Sequence, residues 1–306
     1  MKLEGIHHIT AITGDAARNL DFYTRVIGLR LVKKTVNQDD PTVYHLFYAD
    51  EHGSPGADLT FFEYPGAAPG RAGVGMVHRV VSRVGSAEAL AFWAERLAGE
   101  GVETERVEDG LRFADPEGLA HELIVDPTDD APLPADHPDI PAEHALQGFD
   151  SVRAYSADPE ASRGLLEDAL EFHTAGDGWE ARGSERGGSI AYDAPPEERG
   201  RPGGGTVHHV AWASTMEDHA AWRERAQEGG ANPTPEIDRF WFRSIYFREP
   251  SGVLFEIATM GPGFATDEDL EHLGEKLVLP PRFEAMRDRI EATLSPLESP
   301  RVAQSG

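Results

Sequence analysis

A chain of 306 residues with 40% hydrophobic and 27% charged residues has a globular composition and room for two domains. Its formal charge of −26, with four lysines among 28 basic residues, repels nucleic acid and anionic membranes, and no apolar run approaches the ~20 residues of a membrane span. The lack of cysteine excludes disulfides, thiolate nucleophiles and zinc–sulfur sites, so any metal must be held by His, Asp or Glu.

The opening MKLEGIHHIT has no signal-peptide character, which makes a cytoplasmic protein the expectation. The acids are dispersed along the chain and read as a solvated coat suited to high salt. Four segments then follow one plan: a short strand, an amphipathic helix, and a run of strands ending in an apolar stretch. The first begins at GIHHITAIT. Its helix is expected from about Asp15 to Ile27, with Leu20, Tyr23, Val26 and Ile27 on one stripe and Gly28 at its end. Strands follow in LRLVKKTV, TVYHLFYAD and ADLTFFEY. The second begins at GMVHRVVSRV, has a helix capped by Ser86, and closes with FADPEGLAHELIVD.

A Pro- and Asp-rich stretch, residues 126–141, reads as a linker. The third segment begins at GFDSVRAYS, with a helix opening at Asp158–Pro159 and short strands near WEARG and GSIAYDA. Residues 193–205 read as a flexible loop. The fourth begins at GTVHHVAWAS. Its helix is expected near Ser214, with Glu217 completing a capping box, and it closes with SIYFREPSGVLFEIAT. Beyond Met260 the plan ends, and one tail helix is expected in PRFEAMRDRIEATL. The division is 1–133 for modules one and two, 134–268 for modules three and four, and 269–306 for the tail.

Alignment of the four starts places His8 and His209 at one position, with Arg79 and Ser151 as their counterparts. The ends FADPEGLAHE and FREPSGVLFE align Glu122 with Glu256 through a shared Pro-x-Gly turn. Counted from Pro55–Gly56, copy one has Phe61 there. Copies one and four therefore supply two imidazoles and a carboxylate, and the inference is that they pair so that His8, His209 and Glu256 converge. An ionised glutamate in VLFEIA is costly to bury alone, and a metal removes that cost. Two neutral imidazoles and one carboxylate leave the opposite coordination positions open, a pattern associated with non-haem Fe(II). On an alternating strand, His8 shares a face with Ile6 and Thr10, and His7 points elsewhere. His7 and His208 read equally well as ligand-orienting groups, acid–base groups or space fillers.

These residues resemble the vicinal oxygen chelate (glyoxalase/bleomycin resistance/extradiol dioxygenase) superfamily. GIHHITAITGDAARNLDFYTRVIGLRLVKKTVN, YHLFYADEHGSPGADLTFF, VHHVAWA, SIYFREPSGVLFEIAT and GFATDEDLEHLGE are most similar to its hydroquinone ring-cleaving dioxygenases, over nearly the whole chain. The resemblance implies an α+β fold of four tandem βαβββ modules pairing into open mixed β-barrels, with a helical tail. It implies a ring-cleaving dioxygenase that opens a hydroquinone- or catechol-type ring, with a small aromatic substrate and O2. Fe(II) is the implied metal, and the same donors accept Mn(II). Its metal ligands fall on His8, His209 and Glu256, and its pocket groups on Tyr246, His208, Arg239, His7 and Thr10. Arg243 rivals Arg239 for the role of balancing substrate or oxygen charge. The alternatives are a metal-dependent glyoxalase-like isomerase or lyase, and a non-catalytic aromatic-ligand binder of the same fold. Oligomeric state stays open, a homo-oligomer included.

Overall fold

The computed structural model describes residues 1–300; the last six residues of the expected tail lie outside the described residues. Module one is β1 (Ile6–Thr13), α1 (Ala16–Asp21), β2 (Arg30–Val36), β3 (Tyr44–Ala49) and β4 (Asp58–Glu63). Module two is β5 (Val77–Val84), α2 (Ala87–Gly99), β6 (Thr104–Val107), β7 (Gly110–Ala114) and β8 (Ala120–Val125). Module three has β9 (Phe149–Tyr155), β10 (His173–Ala175), β11 (Gly178–Arg182) and β12 (Gly187–Asp193); module four has β13 (Thr206–Ser214), α3 (His219–Glu228), β14 (Ile237–Asp238), β15 (Arg243–Arg248) and β16 (Leu254–Thr259).

The strands form two eight-stranded sheets, each curled into an open mixed barrel: β14-β15-β16-β13-β1-β4-β3-β2 and β10-β11-β12-β9-β5-β8-β7-β6. Modules one and four thus share one sheet, and modules two and three share the other. Each sheet draws strands from both 1–133 and 134–268. The central pairs β1–β13 and β5–β9 are antiparallel, while each module's first and last strands pair in parallel. The helices cover one side of the sheets over a core that includes Ile9, Trp93, Val210, Trp212 and Trp222. The opposite, concave face of the first sheet carries a separate apolar cluster of Phe47, Ala211, Trp241, Phe242, Ala258 and Phe264.

Local chemistry departs from the expected elements in several places. Ser86 accepts from the Ala89 N–H, as a capping serine should. The first helix is split into α1 and a π-type turn over Phe22–Val26, and Gly28 follows at φ +81°. Module three replaces its helix with a 3-10 turn at Pro159–Ser162 and a π-type turn at Gly164–Ala169. The capping box expected at Ser214 does not form. Ser214 is the buried last residue of β13, bonded toward His219 and Ala258, and α3 starts only at His219. The tail helix shrinks to a 3-10 turn, Pro281–Met286, and α4 (Arg287–Glu291). The stretch read as a linker is tied down, with Ala135 and Ile140 buried. The loop at 193–205 bridges to Pro69 and Arg71.

Candidate metal centre

The paired histidines are explained by a β-bulge. Against β13, Ile6 pairs with Trp212 and His8 with Ala211, so His7 is the extra residue. The same strand pair bulges again at His208, because Thr10 faces His209 while Ala11 faces Val207. In the other sheet the bulges fall at His78 and Asp150. Each module therefore writes a bulge residue and then a site residue. The bulge also breaks the expected alternation. Ile6 packs in the helix-side core, and His7 stays on the concave side against Phe242, with ring centroids 5.5 Å apart.

His8, His209 and Glu256 converge. The two Nε2 atoms are 3.2 Å apart, and they lie 3.2 and 2.9 Å from Glu256 Oε2. Glu256 is fully buried, and neither of its oxygens has a hydrogen-bond partner. The imidazole tautomers explain why. Thr259 O can only accept, so His7 donates to it through Nε2, at 3.1 Å. Burial, and then the neighbouring His8, pushes the His7 pKa down to about 3, so its ring is neutral and its Nδ1 is an acceptor. The 2.9 Å contact between the two Nδ1 atoms then requires an Nδ1–H on His8. That leaves a bare lone pair on His8 Nε2, facing the carboxylate. His208 stands in the matching place beside His209, Nδ1 to Nδ1 at 2.8 Å, with an exposed ring in place of the backbone anchor that His7 has. Bare lone pairs around an orphaned carboxylate fit a divalent cation, and the orienting partners that metal-bound histidines need are the bulge histidines.

The sheet register corrects one expectation. The residue paired with Ala211 is Glu256, and by the same count the residue paired with Thr10 is Thr60, not Phe61. The glycine of the turn, not its proline, is the proper anchor: Gly56, Gly118 and Gly252 all sit near φ +100° (+102°, +96° and +101°), four residues before Thr60, Glu122 and Glu256. Phe61 is buried among Tyr23 and Tyr48 on the helix side. Thr10 is not a wall of the pocket; its hydroxyl bonds Thr60 at 2.7 Å, and Thr60 meets His45 Nε2 at 2.8 Å. In the second sheet the corresponding centre is filled by ion pairs, with Glu122 taking Arg79 and Arg112, each at 2.8 Å.

A pocket opens over the triad, lined by Asn37, Asp39, His45, Phe47, Phe62, Arg239, Trp241, Phe242 and Tyr246 among others. Arg239 grips Asp39 through both terminal nitrogens (3.0 and 2.9 Å) and lies over the Tyr246 ring at 5.5 Å. Arg243 does not reach the pocket; it is half exposed and pairs with Glu236. Tyr246 is the cross-strand partner of Glu256. Burial and the Glu256 charge raise its pKa, against the opposing pull of Arg239, so the phenol keeps its proton at neutral pH. His208 sits beside Phe62 at the exposed edge, with its pKa pushed down to about 4 by burial and then by His209. Asp58, the partner of His8 on β4, is buried with both oxygens unpaired, and burial, Asp50 and Glu256 hold its pKa well above the usual carboxylate range.

Sequence reasoning missed His45, Asp39 and the aromatic walls. His45 and Phe47 alternate on one face of β3 and carried a readable signal. Asn37 to Asp39 and Trp241–Phe242 lie in connections, where no periodicity marks direction.

Comparison with known proteins bears on the whole chain. The family model of the glyoxalase/bleomycin resistance protein/dioxygenase superfamily matches residues 5–123 and 148–257. The protein named "Putative ring-cleaving dioxygenase MhqA" from Bacillus subtilis is 39% identical over 97% of this chain and 100% of its own. The chlorohydroquinone/hydroquinone 1,2-dioxygenase of Sphingobium indicum is 33% identical over 96% of this chain and 97% of its own. The crystal structure of a "putative dioxygenase" from Bacillus subtilis superposes with a TM-score of 0.91 at 40% identity, over 97% of this chain and 98% of that one. Glyoxalase I of Zea mays, at 16% identity and TM-score 0.59 over 89% of this chain and 96% of its own, shares the fold.

Proposed function

The chain belongs to the glyoxalase/bleomycin resistance protein/dioxygenase superfamily, and we propose that within it the protein is a non-haem Fe(II)-dependent dioxygenase that opens a hydroquinone-type ring. The observation that carries this reading is the triad of His8, His209 and Glu256, whose unshared lone pairs face an aromatic-walled pocket. The similarity to the chlorohydroquinone/hydroquinone 1,2-dioxygenase of Sphingobium indicum supports the substrate class. Manganese fits the same donors less specifically.

Bound there by His8, His209 and Glu256, Fe(II) supplies Lewis acidity toward a ring hydroxyl and the redox capacity to use dioxygen. The remaining work belongs to side chains. His7 and His208 hold the ligand imidazoles in the tautomer that presents Nε2. Phe47, Phe62, Trp241 and Phe242 sandwich the ring and exclude water. Tyr246, kept protonated, donates to an oxygen of the substrate, while neutral His208, its Nδ1 lone pair engaged by His209, offers only an Nε2–H donor at the exposed edge. Arg239, fixed by Asp39, balances negative charge as it develops. Both atoms of dioxygen end in the open-chain acid, so no external reductant is needed. A glyoxalase-like isomerase of this fold would be expected to place a further carboxylate opposite Glu256, and Thr60 stands there instead.

The test is anaerobic loading with Fe(II), addition of hydroquinone, admission of oxygen, and simultaneous recording of oxygen uptake and the ultraviolet spectrum. Stoichiometric uptake with a ring-opened chromophore, absent in His209→Ala, is expected. Iron retention without uptake on hydroquinones or catechols would overturn the reading.

A further inference from the structure

The metal-bearing sheet has two open edges, β14 and β2, and the segment 261–279 runs from one to the other. At the β14–β15 turn, the Gly263 N–H donates to Trp241 O at 2.8 Å. At β2, Leu277 bridges Lys34, and Val278 N–H donates to Lys34 O at 2.9 Å. Gly274 passes so close to β2 that a Cβ there would lie 2.0 Å from Leu31 O.

At the centre of this strap lies Lys33, fully buried on β2. A buried ammonium is costly unless it is matched. Its Nζ donates to Phe264 O at 3.1 Å, to Asp267 Oδ1 at 2.9 Å and to the Glu268 carboxylate, and lies 5.1 Å from the centre of the Trp241 ring. Asp267 Oδ1 also accepts from Trp241 Nε1 at 2.9 Å. One carboxylate oxygen therefore joins the buried cation to an indole that walls the metal pocket. Trp241 is 1% exposed and packs with Phe47 and Phe242, both of which line that pocket.

We infer that Lys33 and Asp267 form a clasp that positions Trp241, and through it the aromatic ring of the substrate beside His8, His209 and Glu256. The claim about the ring rests on the proposed ring-cleaving function; the claim about Trp241 does not. Asp267 and Lys33 touch no reacting atom and are positioning residues. The clasp is peculiar to the metal-bearing half, for the matching strand of the other sheet, β6, is largely exposed over Thr104–Val107 and buries no lysine.

Asp267→Ala is the informative variant, because Lys33 keeps Glu268 and Phe264 O and so stays matched. Asp267→Asn is its control, since an amide oxygen still accepts from the indole. The indole N–H resonance of Trp241, assigned by its loss in Trp241→Phe, should move or broaden in Asp267→Ala and return in Asp267→Asn. KM for hydroquinone should rise about tenfold in Asp267→Ala, the scale of one lost hydrogen bond to a charged acceptor. It should rise similarly in Trp241→Phe, with kcat within about threefold in both and KM restored in Asp267→Asn. An unmoved indole resonance in Asp267→Ala overturns the clasp, whatever the protein turns over. A moved resonance with unchanged KM refutes the link to the ring and leaves the clasp standing. If the wild-type protein takes up no oxygen with any hydroquinone, the functional reading fails, and the resonance alone decides the clasp.

Discussion

Replacing His7 with phenylalanine tests whether the bulge histidine orients His8, the proposed metal ligand. The substitution keeps a ring of similar size at a site that is 5% exposed and already packs against Phe242. It removes the acceptor 2.9 Å from His8 Nδ1 and the donor to Thr259 O. His8 then has no partner to hold its proton on Nδ1, and the tautomer with hydrogen on Nε2 cannot ligate. Losses of such outer partners weaken metal binding by about 10–100-fold, which is about 1.4–2.8 kcal/mol. The assay is chelator competition with Co(II) or anaerobic Fe(II), with the melting temperature of the metal-free variant as a control. His208→Phe provides the contrast. His208 is exposed, so water can replace its acceptor, and the loss should be only a few-fold. Metal affinity of His7→Phe within about twofold of wild type, in a protein that melts normally, would refute the tautomer chain.

Glu256→Gln should weaken metal retention by at least about a hundredfold, beyond the usual effect of outer partners, while the metal-free protein melts no lower, because a buried carboxylate with no hydrogen-bond partner is gone; dialysis against chelator with metal analysis checks both. Tyr246→Phe should leave metal retention unchanged and slow oxygen uptake about a hundredfold, the scale of one positioned proton donor; full activity removes its assigned role. Asp58→Leu should stabilise the protein by about 2 kcal/mol at pH 7, since it replaces an unpaired buried acid with the residue found at the equivalent place in module four, Leu254. The sign follows from the raised pKa: folded Asp58 keeps a proton that the unfolded chain loses near 3.8, so its penalty grows as pH rises above that value. The gain in Asp58→Leu should therefore shrink toward pH 3 in paired denaturant titrations, and a gain independent of pH would contradict the assignment.

What was legible in the sequence was whatever repeats. Four copies of one plan exposed the modules, and comparing copies singled out His8, His209 and Glu256, which converge in the structure, because a histidine stands out where its counterparts are Arg79 and Ser151. The same comparison slipped by one residue at Thr60, since copy one writes its turn as Pro55–Gly56 without the intervening residue. Backbone conformation is set by the glycine, whose positive φ few other residues tolerate, and not by the proline. The alternation rule failed at His7 for a related reason. It assumes one residue per pleat, and a bulge spends two against one partner residue. Asp39 and Lys33 were invisible because their partners Arg239 and Asp267 lie 200 and 234 residues away, and Trp241 because it sits in a connection and meets Asp267 only when the strap folds back. The bulge accounts for the doubled histidine in physical terms. A strand can present one imidazole to a metal, but it needs a second residue on the same side to hold that imidazole's proton. In module two the bulge histidine has no His–His–Glu set beside it, and His78 turns instead to Asp193 at 2.8 Å, stacked on Tyr155. The bulge belongs to the fold, and the chemistry depends on what the residue after it can bind.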